Sequence, residues 1–264
     1  MKTVDFPESF QAWRNVAREL LQQEIDPVHI SWSNSQAMEL NFSDENDLQK
    51  NFVNKSSSYR VSKQFLDLAE SVSCYRNPIK WEILYRVLWK LTHGEPLLLK
   101  IGLDADIIQC HQMISAIRRD CHKMKAFVRF REINLDQAEE DNETCFVAWF
   151  EPEHLIVSRM APFFKKRFAN MHWSILTPDA CAHWNKKKLF FTDGADKAMA
   201  PETDDFEHLW LTYYKNIFNP ARLKEKAMLS EMPKKYWKNL PEASLIQELT
   251  NKGKRKDVSR DWEL

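Results

Sequence analysis

At 264 residues the chain is long enough for one large domain or two ordinary ones, and a chain of this size buries roughly 70–75% of its unfolded surface on folding. Its 38 basic and 38 acidic residues cancel, so no global field draws it to a polyanion, and charge acts only where it is segregated. Four glycines exclude a P-loop and a G-x-G-x-x-G turn, which need several glycines for backbone N–H groups to reach a phosphate, and no apolar run approaches the length of a membrane span.

In chain order, Pro7 and the face Phe10, Trp13, Ala17, Leu20 and Leu21 predict a helix over 7–22, and residues 28–32 alternate as a strand. Residues 41–58 are polar and read as a surface loop. Helices are expected over 61–75 and 78–92, the latter opened by Pro78, closed by Gly94 and apolar nearly all round, as suits a central core helix. Asp104 can cap a helix over 105–122 whose seam steps through Ile107, Cys110, Ile114, Ile117 and Cys121. Strands are expected over 126–133 and 145–150, a helix over 153–171 broken or kinked at Pro162, and short strands over 173–177 and 188–191. An acidic segment over 193–208 leads to helices at 205–218, 220–231 and 241–250. The arrangement is α+β: a small, mostly antiparallel sheet in the middle of the chain, packed with helices from both ends. Residues 1–250 read as a single domain and 251–264 as a disordered tail. With no signal-peptide pattern and no C-x-x-C, the five cysteines are expected as free thiols in a cytoplasmic protein.

Two constellations could carry chemistry. The stretch 118–131 holds six Lys/Arg and one acid: Arg118, Arg119, Lys123, Lys125, Arg129 and Arg131, around Asp120. With Lys165, Lys166 and Arg167, and with Arg222 and Lys226 from a second basic run, these residues could line a phosphate-binding groove. Interleaved aromatics (Phe127, Phe130, Phe163, Phe164, Tyr236, Trp237) could stack on unpaired bases. The plainer reading is a set of solvated helix faces with the aromatics in the core. The second constellation is Asp120, His122, Glu151, Glu153 and His154, residue types that serve as general acids, bases and metal ligands. E-x-E-H is not a defined metal motif, the identity of any metal or cofactor is unknown, and Glu151 could equally form structural ion pairs with Arg118 or Arg119. Asp179, Cys181 and His183 add a Cys–His pairing that spacing alone supports weakly.

FQAWRNVARELL, RNPIKWEILYRVLWKL, MISAIRRDCHKMKAFVRFRE, FVAWFEPEHLI, APFFKKRFANMHWSILTPD and NIFNPARLKEKAMLSEMPKKYWKNLPEA closely resemble a bacterial family described as probable DNA metabolism proteins, over roughly residues 5–245. The resemblance implies a domain that also occurs fused to uracil-DNA glycosylases of the uracil-crosslinking type. Its stand-alone form is associated with a radical S-adenosylmethionine protein of DNA modification or repair. It brings no catalytic assignment. The matching positions include Arg118, Arg119, Asp120, His122, Lys123, Arg129, Glu151, Glu153, His154, Asp179, Asn219, Arg222 and Lys226. The chain lacks the glycine-rich glycosylase motif and the radical-enzyme cysteine triad, so that chemistry would belong to a partner. A Pro-Gly-Ala expected near 193–195 reads Asp193-Gly194-Ala195. The resulting expectation is a DNA-binding protein of repair or modification working with a partner enzyme. A metal-assisted nuclease or lyase and a protein-binding scaffold are the alternatives.

Overall fold

The computed structural model describes residues 2–33, 59–133, 145–199, 234–237 and 239–240. The loop expected at 41–58, the three helices expected after residue 204 and the tail lie outside them, as do Arg222 and Lys226. The architecture is α+β, and the chain divides into two compact units, residues 1–118 and 119–264.

In the first unit β1 (Lys2–Asp5) and β2 (Ile30–Ser33) pair in parallel, Val4 opposite Trp32. Between them α1 (Phe10–Gln22) starts where the Ser9 hydroxyl accepts the Ala12 N–H at 3.2 Å, and it buries Trp13, Ala17, Leu20 and Leu21. The expected strand at 28–32 is a 3-10 turn (Pro27–His29) followed by β2, because Pro27 sits at the head of the turn and the Asp26 carboxylate accepts the Val28 N–H. α2 (Lys63–Ser73) is capped in the same way by Ser62. α3 (Ile79–Thr92) is the central helix its sequence predicts, with Trp81, Ile83, Leu84, Tyr85, Val87 and Leu88 all buried. Trp13 stacks on Trp81 at 5.8 Å, and Phe6 meets Trp81 edge-on at 5.5 Å. Such ring pairs add about 0.5–1.5 kcal/mol each beyond simple burial. α4 (Ala105–Phe127) begins where the Asp104 carboxylate accepts the N–H groups of Asp106 and Ile107, the cap expected of it.

α4 runs five residues further than its seam predicts. Residues 123–127 are Lys, Met, Lys, Ala and Phe, mostly good helix formers, and Met124 continues the buried stripe. Phe127 is therefore helical, Val128–Phe130 form a connection, and only β3 (Arg131–Ile133) is strand.

The second unit holds a five-stranded sheet in sequence order: β3, β4 (Cys145–Trp149), β5 (His172–Leu176), β6 (Ala180–Asn185) and β7 (Leu189–Asp193). Every pairing is antiparallel except β4 with β5. That parallel pair requires a crossover, and α5 (Val157–Arg167) supplies it, continuing through Pro162. On one face of the sheet Phe146, Trp173, Trp184 and Leu189 lie in cross-strand register. Phe164 of α5 packs on Trp173, and the Trp184 indole N–H donates to the Ala169 carbonyl at 2.9 Å. After β7, a Cβ at Gly194 would stand 1.9 Å from the Pro178 carbonyl oxygen, so glycine is required at the centre of the Asp-Gly-Ala turn. A short helix, α6 (Lys234–Trp237), carries the buried Tyr236. All five cysteines are free, and among the described residues no helix is long and apolar enough to cross a membrane.

Candidate nucleic-acid interface and the Asp120 cluster

The basic and acidic constellations both fall in the region of α4, the loop after β4 and α5, yet they meet different fates. Asp120 is the one acid of the basic stretch, and it lies in the apolar stripe of α4 that runs through Met113, Ile117, Asp120 and Met124; only 1% of it is exposed. Its Oδ2 accepts the backbone N–H of His154 at 2.9 Å, and its Oδ1 accepts the Tyr236 hydroxyl at 3.2 Å. Burial pushes its carboxyl above the ordinary value, and these two hydrogen bonds offset that only in part. The Tyr236 ring lies flat on Phe150 at 5.3 Å and tilted to Phe127 at 5.5 Å. Burial pushes its phenol well above the usual range.

The rim of this cluster is charged. Glu153 pairs closely with Lys235, and Lys123 Nζ is 3.9 Å from the same carboxylate oxygen. The hydrogen bond from Lys235 holds the Glu153 carboxyl below its ordinary value. Both lysines also lie over the Tyr236 ring, at 4.7 and 5.9 Å. Glu151 accepts the Trp149 indole N–H at 2.9 Å. His154 is buried, and His122 is exposed on α4. The structure thus gathers Asp120, Glu153 and His154 about one point, where His154 contributes its backbone N–H to Asp120. Among the described residues no group of three or more His, Cys, Asp or Glu is placed to hold a metal ion. The arrangement ties α4, the Phe150–His154 turn and α6 together.

The basic residues divide in a different way. Lys123 is engaged at the rim just described, and the Arg129 guanidinium donates to the Ala126 carbonyl at 2.6 Å and to that of Val128. Arg131 is half-buried on β3. Arg118 and Arg119 are exposed on α4. Lys125 is exposed and places its ammonium 4.9 Å from the centroid of Phe163, itself 39% exposed on α5. One turn on, Lys165, Lys166 and Arg167 are exposed in the last turn of α5. Lys165 lies over Trp184 at 4.7 Å, and Arg167 over Phe168 at 5.5 Å. Among the described residues none of Lys125, Lys165, Lys166 and Arg167 has a carboxylate partner. Cations in a last turn are favoured by the helix dipole, which explains their position but not their lack of acidic neighbours.

Of the aromatics expected to stack on bases, Phe164 and Tyr236 are core residues, and Phe130 packs among Phe164, Phe168 and Trp173. Phe163 is the one left widely open beside cations.

His183 makes contacts that spacing could not supply. Its Nδ1 pairs with Ser174 Oγ at 2.8 Å and its Nε2 with Thr192 Oγ1 at 2.9 Å, and its ring stacks on Phe190 at 5.0 Å. Ser174 is its cross-strand partner on β5, and the contacts became visible only with the register. Burial lowers its imidazole, which favours the neutral ring that can accept a hydrogen bond from one hydroxyl while donating one to the other. The Cys181 thiol donates to the Thr177 carbonyl at 3.8 Å.

A family model described as a domain of unknown function, DUF4130, matches residues 78–242, from the start of α3 past α6. No curated protein and no solved structure matches the chain. The matched stretch holds the whole of the α4–α5 surface and the Asp120 cluster and covers well over half of the sequence; the chain belongs to the DUF4130 family.

Proposed function

We propose that the protein binds DNA through the surface formed by the end of α4 and the last turns of α5, as a component of DNA repair or modification that works with a partner enzyme. The observation that carries this reading is a set of exposed cations, Lys125, Lys165, Lys166 and Arg167, that have no acidic partner among the described residues, with the exposed Phe163 ring beside Lys125. Cations already neutralised by carboxylates release few counterions when they meet a phosphate; unneutralised ones can release them all. Phe163 adds a face on which an unstacked base can lie, which favours single-stranded or distorted DNA over intact duplex. The resemblance to DNA metabolism proteins selects DNA among polyanions and suggests a radical S-adenosylmethionine protein or a uracil-DNA glycosylase module as partner. Binding is preferred over hydrolysis because the buried Asp120 carboxylate of the acidic constellation has both oxygens occupied by donors of the chain itself.

Phe163→Ala tests the stacking. Affinity for a single-stranded oligonucleotide at low salt is expected to fall about five- to a hundredfold, the equivalent of one lost base–aromatic stack, with little change for duplex. No binding of either form by the unaltered protein would end the proposal, and an equal loss on both forms would remove the stacking role.

A further inference from the structure

The first unit contains a pocket of about 290 Å³ that the DNA-binding reading does not use. Its floor and walls are apolar: Trp13 and Leu21 from α1, Phe65 from α2 and Leu88 from α3. Along its edge α1 also supplies Arg14 and Arg18, one turn apart on the same side of the helix. Two features mark this place as a candidate site. Its volume comes close to the lower limit of small-molecule sites, about 300 Å³. Among the described residues neither Arg14 nor Arg18 has an ion-pair or hydrogen-bond partner, so both guanidinium groups beside the pocket are available to a ligand.

We propose that this pocket is a binding site for a small amphipathic anion, with a short hydrocarbon or single-ring body enclosed by the apolar walls and a carboxylate or phosphate held by Arg14 and Arg18. Two arginines spaced by one helical turn suit an oxyanion, because each guanidinium presents a planar pair of donors. The apolar walls exclude a bare inorganic ion as the whole ligand, since it would leave them wet. Most of the wall precedes residue 78, so the site lies largely outside the stretch shared with the DUF4130 family and can differ among its members.

The test is calorimetric titration of the full chain with octanoate, octyl phosphate and octanol. Both anions, or one of them, are expected to bind, and whichever binds more tightly identifies the head group. Octanol should bind at least about tenfold more weakly, given the worth of hydrogen bonds to charged groups. The double variant R14Q/R18Q is expected to lose about ten- to a hundredfold in anion affinity and to leave octanol unchanged. These positions face the pocket edge rather than the core, so folding can be verified in the same samples by circular dichroism. Absence of heat with all three probes at millimolar concentration would overturn the proposal, as would anion binding indifferent to R14Q/R18Q. The variant leaves Lys125 and the Lys165–Arg167 run untouched, so DNA binding is read independently of this result.

Discussion

Replacing Asp120 by Ala is expected to lower stability by about 2–6 kcal/mol in urea unfolding, because it strands two buried donors at a cost of about 1–3 kcal/mol each and empties the carboxylate volume. Those donors are the His154 backbone N–H and the Tyr236 hydroxyl. Tyr236→Phe removes only one partner and leaves the Phe150 stack in place, so its loss should be about 1 kcal/mol. The pH dependence has a recognisable sign. The folded-state value of Asp120 is raised, so the folded protein takes up this proton before the unfolded chain does. Stability from this group therefore grows as pH falls through the folded value and levels off below the unfolded one. Glu153 behaves oppositely: its folded value is lowered, and its contribution is lost on acidification. The Ala variant should show only the second trend. A loss below 1 kcal/mol would mean that the carboxylate does not hold the cluster together.

The second large effect concerns Lys80. Its side chain is wholly buried, with Nζ 2.8 Å from a Glu8 oxygen, 2.5 Å from the Tyr75 carbonyl and 4.6 Å from the centre of the Trp81 ring. Glu8→Ala leaves an ammonium in the core without its counter-charge, which costs about 3–5 kcal/mol. Lys80→Met should cost far less. A similar volume then fills the site, and Glu8, at the edge, can return to water. Burial already lowers the Lys80 value, and losing Glu8 lowers it further, so between the folded and unfolded values the unfolded chain binds more protons. Stability of Glu8→Ala should accordingly rise with pH up to about 10, narrowing the gap to the unaltered protein. Equal losses for the two substitutions would show that packing alone, and not the buried charge, is at stake.

Much of this molecule is legible in its residues. α1, α2 and α3 follow from apolar periodicity, and Asp104 caps α4 as its position suggests. β1 carries no local signature, because four residues, Lys-Thr-Val-Asp, acquire a strand identity only from a partner 28 positions away. β6 was hidden by its small residues: Ala-Cys-Ala-His-Trp-Asn lacks the β-branched signature, and its place is set by Ser174 and Trp173 across the sheet. The end of α4 was misleading for a different reason. Val-Arg-Phe-Arg alternates as a strand does, and the alternation extended backwards over residues that the helix claims. The burial of Asp120 is readable from a wheel through Met113, Ile117 and Met124, which places it in the buried stripe, where an acid must find donors. No local pattern could have named those donors, since Tyr236 lies 116 positions away. The basic residues were legible by type, whereas their division into engaged ones, such as Lys123 and Arg129, and unneutralised ones, such as Lys125 and Lys166, depends on tertiary neighbours.

The claim that the α4–α5 surface meets DNA phosphates is tested most directly by the salt dependence of single-stranded DNA binding, compared between the unaltered protein and the K125Q/K165Q/K166Q/R167Q variant. If these four cations each neutralise a phosphate, the slope of log affinity against log salt should become shallower by about 3 in the variant, with weaker binding at every salt concentration. A slope that is unchanged in the variant, or an affinity that does not respond to salt in either protein, would contradict the account.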